Sequence, residues 1–126
     1  MRTFKTRWFA RFARREGIAG KCLLEAVERA ERGLIDADLG GGLIKQRVAR
    51  QGQGRSGGYR TILAYRAKGW AVFLFGFAKN ELDNITQNEL IVLREVAENW
   101  LVTDTAMIRK QIEAGNLQEI EDGEET

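Results

Sequence analysis

Two apolar runs, residues 59–66 (YRTILAYR) and 70–77 (WAVFLFGF), stand only three residues apart and constrain the fold more than anything else in the chain. Both have strand composition, and the link Ala67-Lys68-Gly69 is short enough for a hairpin, with Gly69 expected at the position that needs a positive φ. A strand with one wet face alternates apolar and polar residues. These two do not: Ile62 and Ala64 oppose Leu63 and Tyr65, and Val72 and Leu74 oppose Phe73 and Phe75. Strands apolar on both faces are central and covered on both sides.

The covering layers are read from the flanks. Residues 1–4 are expected to supply a short edge strand. Phe4, Trp8 and Phe12 then recur at helical spacing, with Arg7, Arg11, Arg14 and Arg15 mostly elsewhere around the helix. Such a row serves either as a core stripe or, interleaved with arginine, as a stacking platform for bases. Gly17 and Gly20 interrupt the pattern. A second helix is predicted up to Arg32, with Ile18, Cys22, Val27 and Ala30 inward, Glu25, Glu28, Arg29 and Glu31 outward, and Gly33 as its stop. Residues 36–42 (DADLGGG) read as a loop, because three glycines favour neither helix nor strand. Residues 43–50 resume as a strand, with Lys45 and Arg47 on one face and Ile44 and Val48 on the other.

Beyond the hairpin, a helix is expected from residue 87 to about 101, with Leu90, Leu93, Ala97 and Trp100 inward. A further helix, capped by Thr103 or Asp104 and stopped by Gly115, would bury Ile108 and Ile112 with Ala106 or Met107. Residues 119–126 are acidic and are expected to form a disordered tail behind a single domain at 1–118. The expected class is therefore α+β: two N-terminal helices packed on a small, mainly antiparallel sheet, followed by C-terminal helices.

Composition narrows the chemistry. At 126 residues the chain builds one core. With one cysteine and no histidine, no intramolecular disulfide forms and the usual N/S ligands of zinc are missing, so no metal or other cofactor is expected. Cys22 is expected as a packed core thiol. The longest apolar run is far shorter than the ~20 residues of a spanning helix, and the N-terminus has no signal-peptide block, so a cytoplasmic protein is expected.

The net charge of +2 conceals a strong polarity. Residues 1–80 hold 17 of the 20 Lys and Arg and 6 of the 18 Asp and Glu, a balance of +11; residues 81–126 hold the other 3 and 12, a balance of −9. A basic body of that density is the footprint of a polyanion binder, since each cation set against a phosphate releases a condensed counterion. Solvated helix faces account equally well for the charges before residue 33.

The segment Arg55-Ser56-Gly57-Gly58-Tyr59-Arg60, opening on a glycine-rich turn, and the polar knot Lys79-Asn80-Glu81 bracket the two strands. Antiparallel strands return the chain to where it began, so Arg55 and Arg60 should come close to Lys79 and Glu81. This arrangement resembles the RelE/HigB family of type II toxin–antitoxin toxins, within the RelE/ParE superfamily. The resemblance runs through residues 1–100 in element order and is specific at motif level from about 42 to 85. It implies a compact RelE-like domain that enters the ribosomal A site and cleaves mRNA without a metal, inhibiting translation, and that is held inactive by a cognate helix-turn-helix-type antitoxin. Arg55, Arg60 and Lys79 match the family's basic residues, and Lys45 and Arg47 its preceding basic strand. Two departures stand out: Asn80 where some members carry a second arginine, and Thr86 where they carry a tyrosine.

RNA cleavage by its own 2′-hydroxyl requires a proton acceptor, stabilisation of the phosphorane and protonation of the leaving 5′-oxygen. Without histidine these tasks fall to other groups. Arginine stays charged, so Arg55 and Arg60 suit a phosphate clamp. Lys79 can transfer a proton once neighbouring cations lower its pKa. Glu81 is either a base or an ion-pair partner of Arg60 or Lys79. The candidate catalytic set is therefore Arg55, Arg60, Lys79 and Glu81, with Lys45, Arg47, Arg50, Tyr59 and Asn80 as RNA-binding candidates; Tyr59 suits base stacking and core packing equally, and Tyr65 is expected in the core. Two other functions fit the chain: a non-nucleolytic, ParE-like inhibitor of DNA gyrase, and a non-catalytic, phage-derived nucleic-acid-binding module.

Overall fold

The structure, a computed structural model, describes residues 1–50, 54–78 and 85–121, with the side chains of Arg50 and of residues 54–57 outside that description. Its elements are β1 (Arg2–Thr6), α1 (Arg7–Glu16), α2 (Gly20–Glu31), β2 (Ala37–Gly40), β3 (Leu43–Arg50), β4 (Gly54–Tyr65), β5 (Trp70–Ala78), α3 (Gln87–Val102), α4 (Thr105–Glu113) and β6 (Leu117–Ile120). The strands form one sheet in the order β2-β3-β4-β5-β1-β6. Its pairs are antiparallel apart from β1 and β5, which run parallel. The α+β class is as expected, and β4 and β5 take the central places that their two-sided apolar pattern requires.

Each face of the sheet carries its own core, two where a single one was expected. On one, α1 and α2 bury Phe9, Phe12, Leu23 and Val27 against Ile44, Val48, Tyr59, Leu63 and Phe73, with Cys22 packed at the margin. On the other, Ala97 of α3 and Ile108 of α4 close over Phe4, Leu43, Ile62, Val72 and Leu74. Two side-chain anchors fasten α3 to that face: Trp70 Nε1 donates to the carbonyl of Trp100 at 2.8 Å, and Arg94 donates to the carbonyl of Leu39 through Nε and Nη2 at 2.8 and 2.6 Å. The helix starts at a capping box, with the Thr86 hydroxyl accepting from Glu89 N–H and the Glu89 carboxylate accepting from Thr86 N–H. Asp104 caps α4 in the expected place.

Several expectations change. Strand β1 is interior, not an edge, because β6 pairs along its far side: Thr3, Phe4 and Lys5 are all buried. Phe4 therefore leaves the supposed helical row. Trp8 is 40% exposed and stacks between Phe12 and Phe75, with ring centroids 5.5 and 4.7 Å away. Residues 37–40, read as loop, form β2, since pairing with β3 satisfies their backbone while Gly40, Gly41 and Gly42 absorb the turn at positive φ. In the hairpin link it is Lys68, not Gly69, that has positive φ, at 62°. The expected tail loses its first two residues to β6, where Ile120 is 3% exposed in the core under α1 and α2, and Glu119 forms a two-point ion pair with Arg2. That carboxylate, chiefly through its hydrogen bonds, raises the pKa of Arg2. Gly76 is needed for packing, because a Cβ there would lie 2.6 Å from Cε2 of Phe12.

Candidate nucleic-acid interface

Strands β3 and β4 set the basic residues in register: Lys45 opposite Ile62, Arg47 opposite Arg60, and Arg50 opposite Gly54, with an irregularity between Val48 and Arg50. Side chains on β3 alternate as expected. Ile44 and Val48 enter the core under α1 and α2, Lys45 and Arg47 point to the other face, and Arg47 is exposed. Arg60 is half-buried and in turn lies opposite Phe77 of β5. Arg47 and Arg60 thus form a cross-strand pair of like charge.

A buried polar network fixes this part of β3. Gln46, fully buried, donates from Nε2 to the carbonyls of Ala26 and Leu34 at 2.9 and 3.2 Å and accepts at Oε1 from Asp36 N–H at 2.7 Å. Its own carbonyl accepts from the Thr61 hydroxyl at 2.8 Å. Arg29 on α2, expected outside, is 3% exposed. Its guanidinium donates to both carboxylate oxygens of Glu25 at 3.1 Å, to Asp36 Oδ2 at 3.4 Å and to the carbonyl of Arg47. The same Asp36 oxygen accepts from Arg47 N–H at 2.7 Å. A buried guanidinium is tolerable only when matched in this way, because an unpaired one carries the full desolvation cost. Sequence reasoning missed Arg29, although its spacing from Ala26 and from Leu23 places it in line with the buried face of α2.

Of the predicted site residues, the structure brings Lys45, Arg47 and Arg60 onto one face of adjacent strands. It removes Tyr59 from the RNA-binding set. Tyr59 is 2% exposed, packs edge-on against Phe12 with centroids 5.9 Å apart, and donates from its hydroxyl to the carbonyl of Glu16 at 3.1 Å, so no base can reach its ring. The glycine-rich stretch expected as a turn is strand: β4 begins at Gly54, because pairing with β3 reaches Gly54 opposite Arg50. Tyr59, midway along β4, lies opposite Ala78 at the end of β5. Arg55's side chain, Lys79, Asn80 and Glu81 lie outside the described residues, as does the side chain of Arg50. Tyr65 is half-buried against the core under α1 and α2, which raises its pKa, first by desolvation and then through Glu31.

The fold and basic strand pair define a small α+β domain with Lys45, Arg47 and Arg60 on one face of two neighbouring strands. The sequence profile described as the RelE toxin of the RelE/RelB toxin–antitoxin system matches residues 1–120, and the chain belongs to that family. It is accordingly a toxin of a toxin–antitoxin system, with a cognate antitoxin as partner. No curated protein matches the chain. Among the described residues, no helix is long and apolar enough to cross a membrane.

Proposed function

We propose that this toxin is an endoribonuclease that cuts mRNA in the ribosomal A site. The observation that carries the reading is the register pair Arg47–Arg60. Two guanidinium-bearing residues opposite each other on neighbouring strands set two fixed positive charges where a polyanion can lie across them. The balance of +11 over residues 1–80 points the same way.

In the proposed reaction the 2′-hydroxyl oxygen attacks the adjacent phosphorus and the bond from phosphorus to the 5′-oxygen breaks. A 2′,3′-cyclic phosphate and a 5′-hydroxyl end result. Lys79 moves the proton, Arg55 and Arg60 hold the charge that builds on the phosphorane, and Glu81 pairs with these cations to hold them in place. Lys45, Arg47, Arg50 and Asn80 bind the flanking RNA. The acting groups are an amine and guanidiniums, so the cycle needs no metal. The cognate antitoxin, of helix-turn-helix type, blocks access of this basic face to the ribosome.

Translating a reporter message in a purified system with the toxin, then mapping its 5′ ends, tests the proposal. New 5′-hydroxyl ends within translated codons support it. Blocked translation with an intact message overturns it in favour of a different target.

A further inference from the structure

We infer that Asp36 and Arg29 are positioning residues for Arg47, holding its backbone where the neighbouring strand ends. The inference rests on the reading of Arg47 as a contact for RNA phosphate.

Strand β2 pairs with β3 only from Ala37 opposite Lys45 onward to Gly40 opposite Leu43. Arg47 lies two residues beyond that last rung, where a sheet would ordinarily leave its amide and carbonyl to water. Here two side chains replace the absent strand. The Asp36 carboxylate accepts the Arg47 N–H at 2.7 Å, and the Arg29 guanidinium donates to the Arg47 carbonyl. Both backbone groups of Arg47 are therefore spent on the β2 side. In an antiparallel ladder this makes Arg47 and Arg60 a pair without mutual backbone bonds, the type whose side chains stand closest together.

The clamp is itself rigid. Arg29 is locked by Glu25 and Asp36, and Asp36 N–H is held by Gln46, which is anchored in turn to α2. Both carboxylates of the clamp are engaged by the Arg29 guanidinium. Among the described residues no carboxylate forms an ion pair with Arg47. The fold thus fixes the outer edge of β3 at a cation whose amide and carbonyl face away from β4, and binding need not pay that ordering cost.

A double-mutant cycle on the full chain separates positioning from general support. Binding to mRNA-programmed ribosomes is measured for the parent, Arg47→Ala, Asp36→Ala and the double variant, with melting temperatures as the check on folding. Asp36→Ala is expected to weaken binding at least threefold in the parent, and to have no further effect once Arg47 is alanine. Asp36→Asn, which retains an acceptor for the Arg47 N–H, should recover most of the loss. Equal weakening by Asp36→Ala in both backgrounds, or none in the parent, overturns the inference and leaves the proposed function standing. If Asp36→Ala does not fold, Arg29→Lys takes its place in the cycle with the same expectations. Unchanged binding in Arg47→Ala overturns the inference together with the assignment of Arg47, and failure of the parent to bind overturns the proposed function as well.

Discussion

The hydroxyl of Tyr59 on β4 donates to the main-chain carbonyl of Glu16 at the end of α1, 3.1 Å away, and ties the sheet to the helix whose C-cap is Gly17. This bond defines Tyr59 as structural. Tyr59→Phe should lower stability by about 1 kcal/mol, the net worth of one such bond, while leaving toxicity and RNA cleavage at the parent level. Urea unfolding and a cleavage assay on the same preparation check both halves. A cleavage loss without a stability loss would return Tyr59 to the RNA-binding set.

The strand β6 makes the C-terminal segment part of the core. Ile120→Ala removes a side chain that is buried beneath α1 and α2, and large-to-small changes of this kind cost roughly 2–5 kcal/mol. Deleting residues 117–126 should cost more, because β1 would become an edge with Thr3 and Lys5 uncovered. Deleting 122–126 keeps β6 whole and is expected to change the melting temperature little. Thermal unfolding of the three variants orders them.

Alkaline pH should act through Tyr65. Its pKa is raised in the folded protein, first by desolvation and then by Glu31, so the folded state holds the phenolic proton more tightly than the unfolded chain does. The resulting stability is fully present below the ordinary tyrosine pKa of 10.0 and falls as pH rises past it towards the higher folded value. Between pH 9 and 11.5 the parent should lose more stability than Tyr65→Phe. Parallel pH profiles for the two proteins would contradict this.

Lys79 follows the last residue of β5, and the proposed chemistry gives it the proton transfer. Lys79→Arg keeps the charge but cannot readily release a proton, so it should fall nearly as far as Lys79→Ala, by roughly 10²–10⁴ in cleavage rate. Single-turnover cleavage of an mRNA on programmed ribosomes measures it. An arginine variant close to the parent rate would reduce Lys79 to an electrostatic role.

The central hairpin, both N-terminal helices, α3, α4 and the cap of α4 were legible because each carries a local signal: two-sided apolar strands, helical spacing, Asp104 before its helix; the capping box of Thr86 and Glu89 was not read. The missed features depend on partners distant in sequence. Strand β6 is four residues with two apolar side chains, and only pairing with β1, over a hundred positions earlier, makes Leu117–Ile120 a strand. β1 itself looked like an edge because only the short stretch 1–4 precedes the first helical pattern, and its second partner, β6, lies at the other end of the chain. Arg29 was placed outside on charge alone, and its burial follows from Glu25, Asp36 and the Arg47 carbonyl converging on it. At the candidate site the alternation of β3 disclosed Lys45 and Arg47, whereas the equal standing of Tyr59 as stacker or core residue was resolved only by the ring of Phe12 lying against it.

The reading as an RNA-cleaving toxin depends most on Arg60, which lies opposite Arg47 on one side and Phe77 on the other. The most direct test is the single-turnover rate of mRNA cleavage on programmed ribosomes for the parent and for Arg60→Ala, with melting temperatures confirming that both are folded. The parent should release fragments with 5′-hydroxyl ends, and Arg60→Ala should be slower by about a hundredfold or more, as loss of one transition-state donor typically produces. A folded Arg60→Ala that cleaves at the parent rate, or a parent that leaves the message intact, would contradict the account.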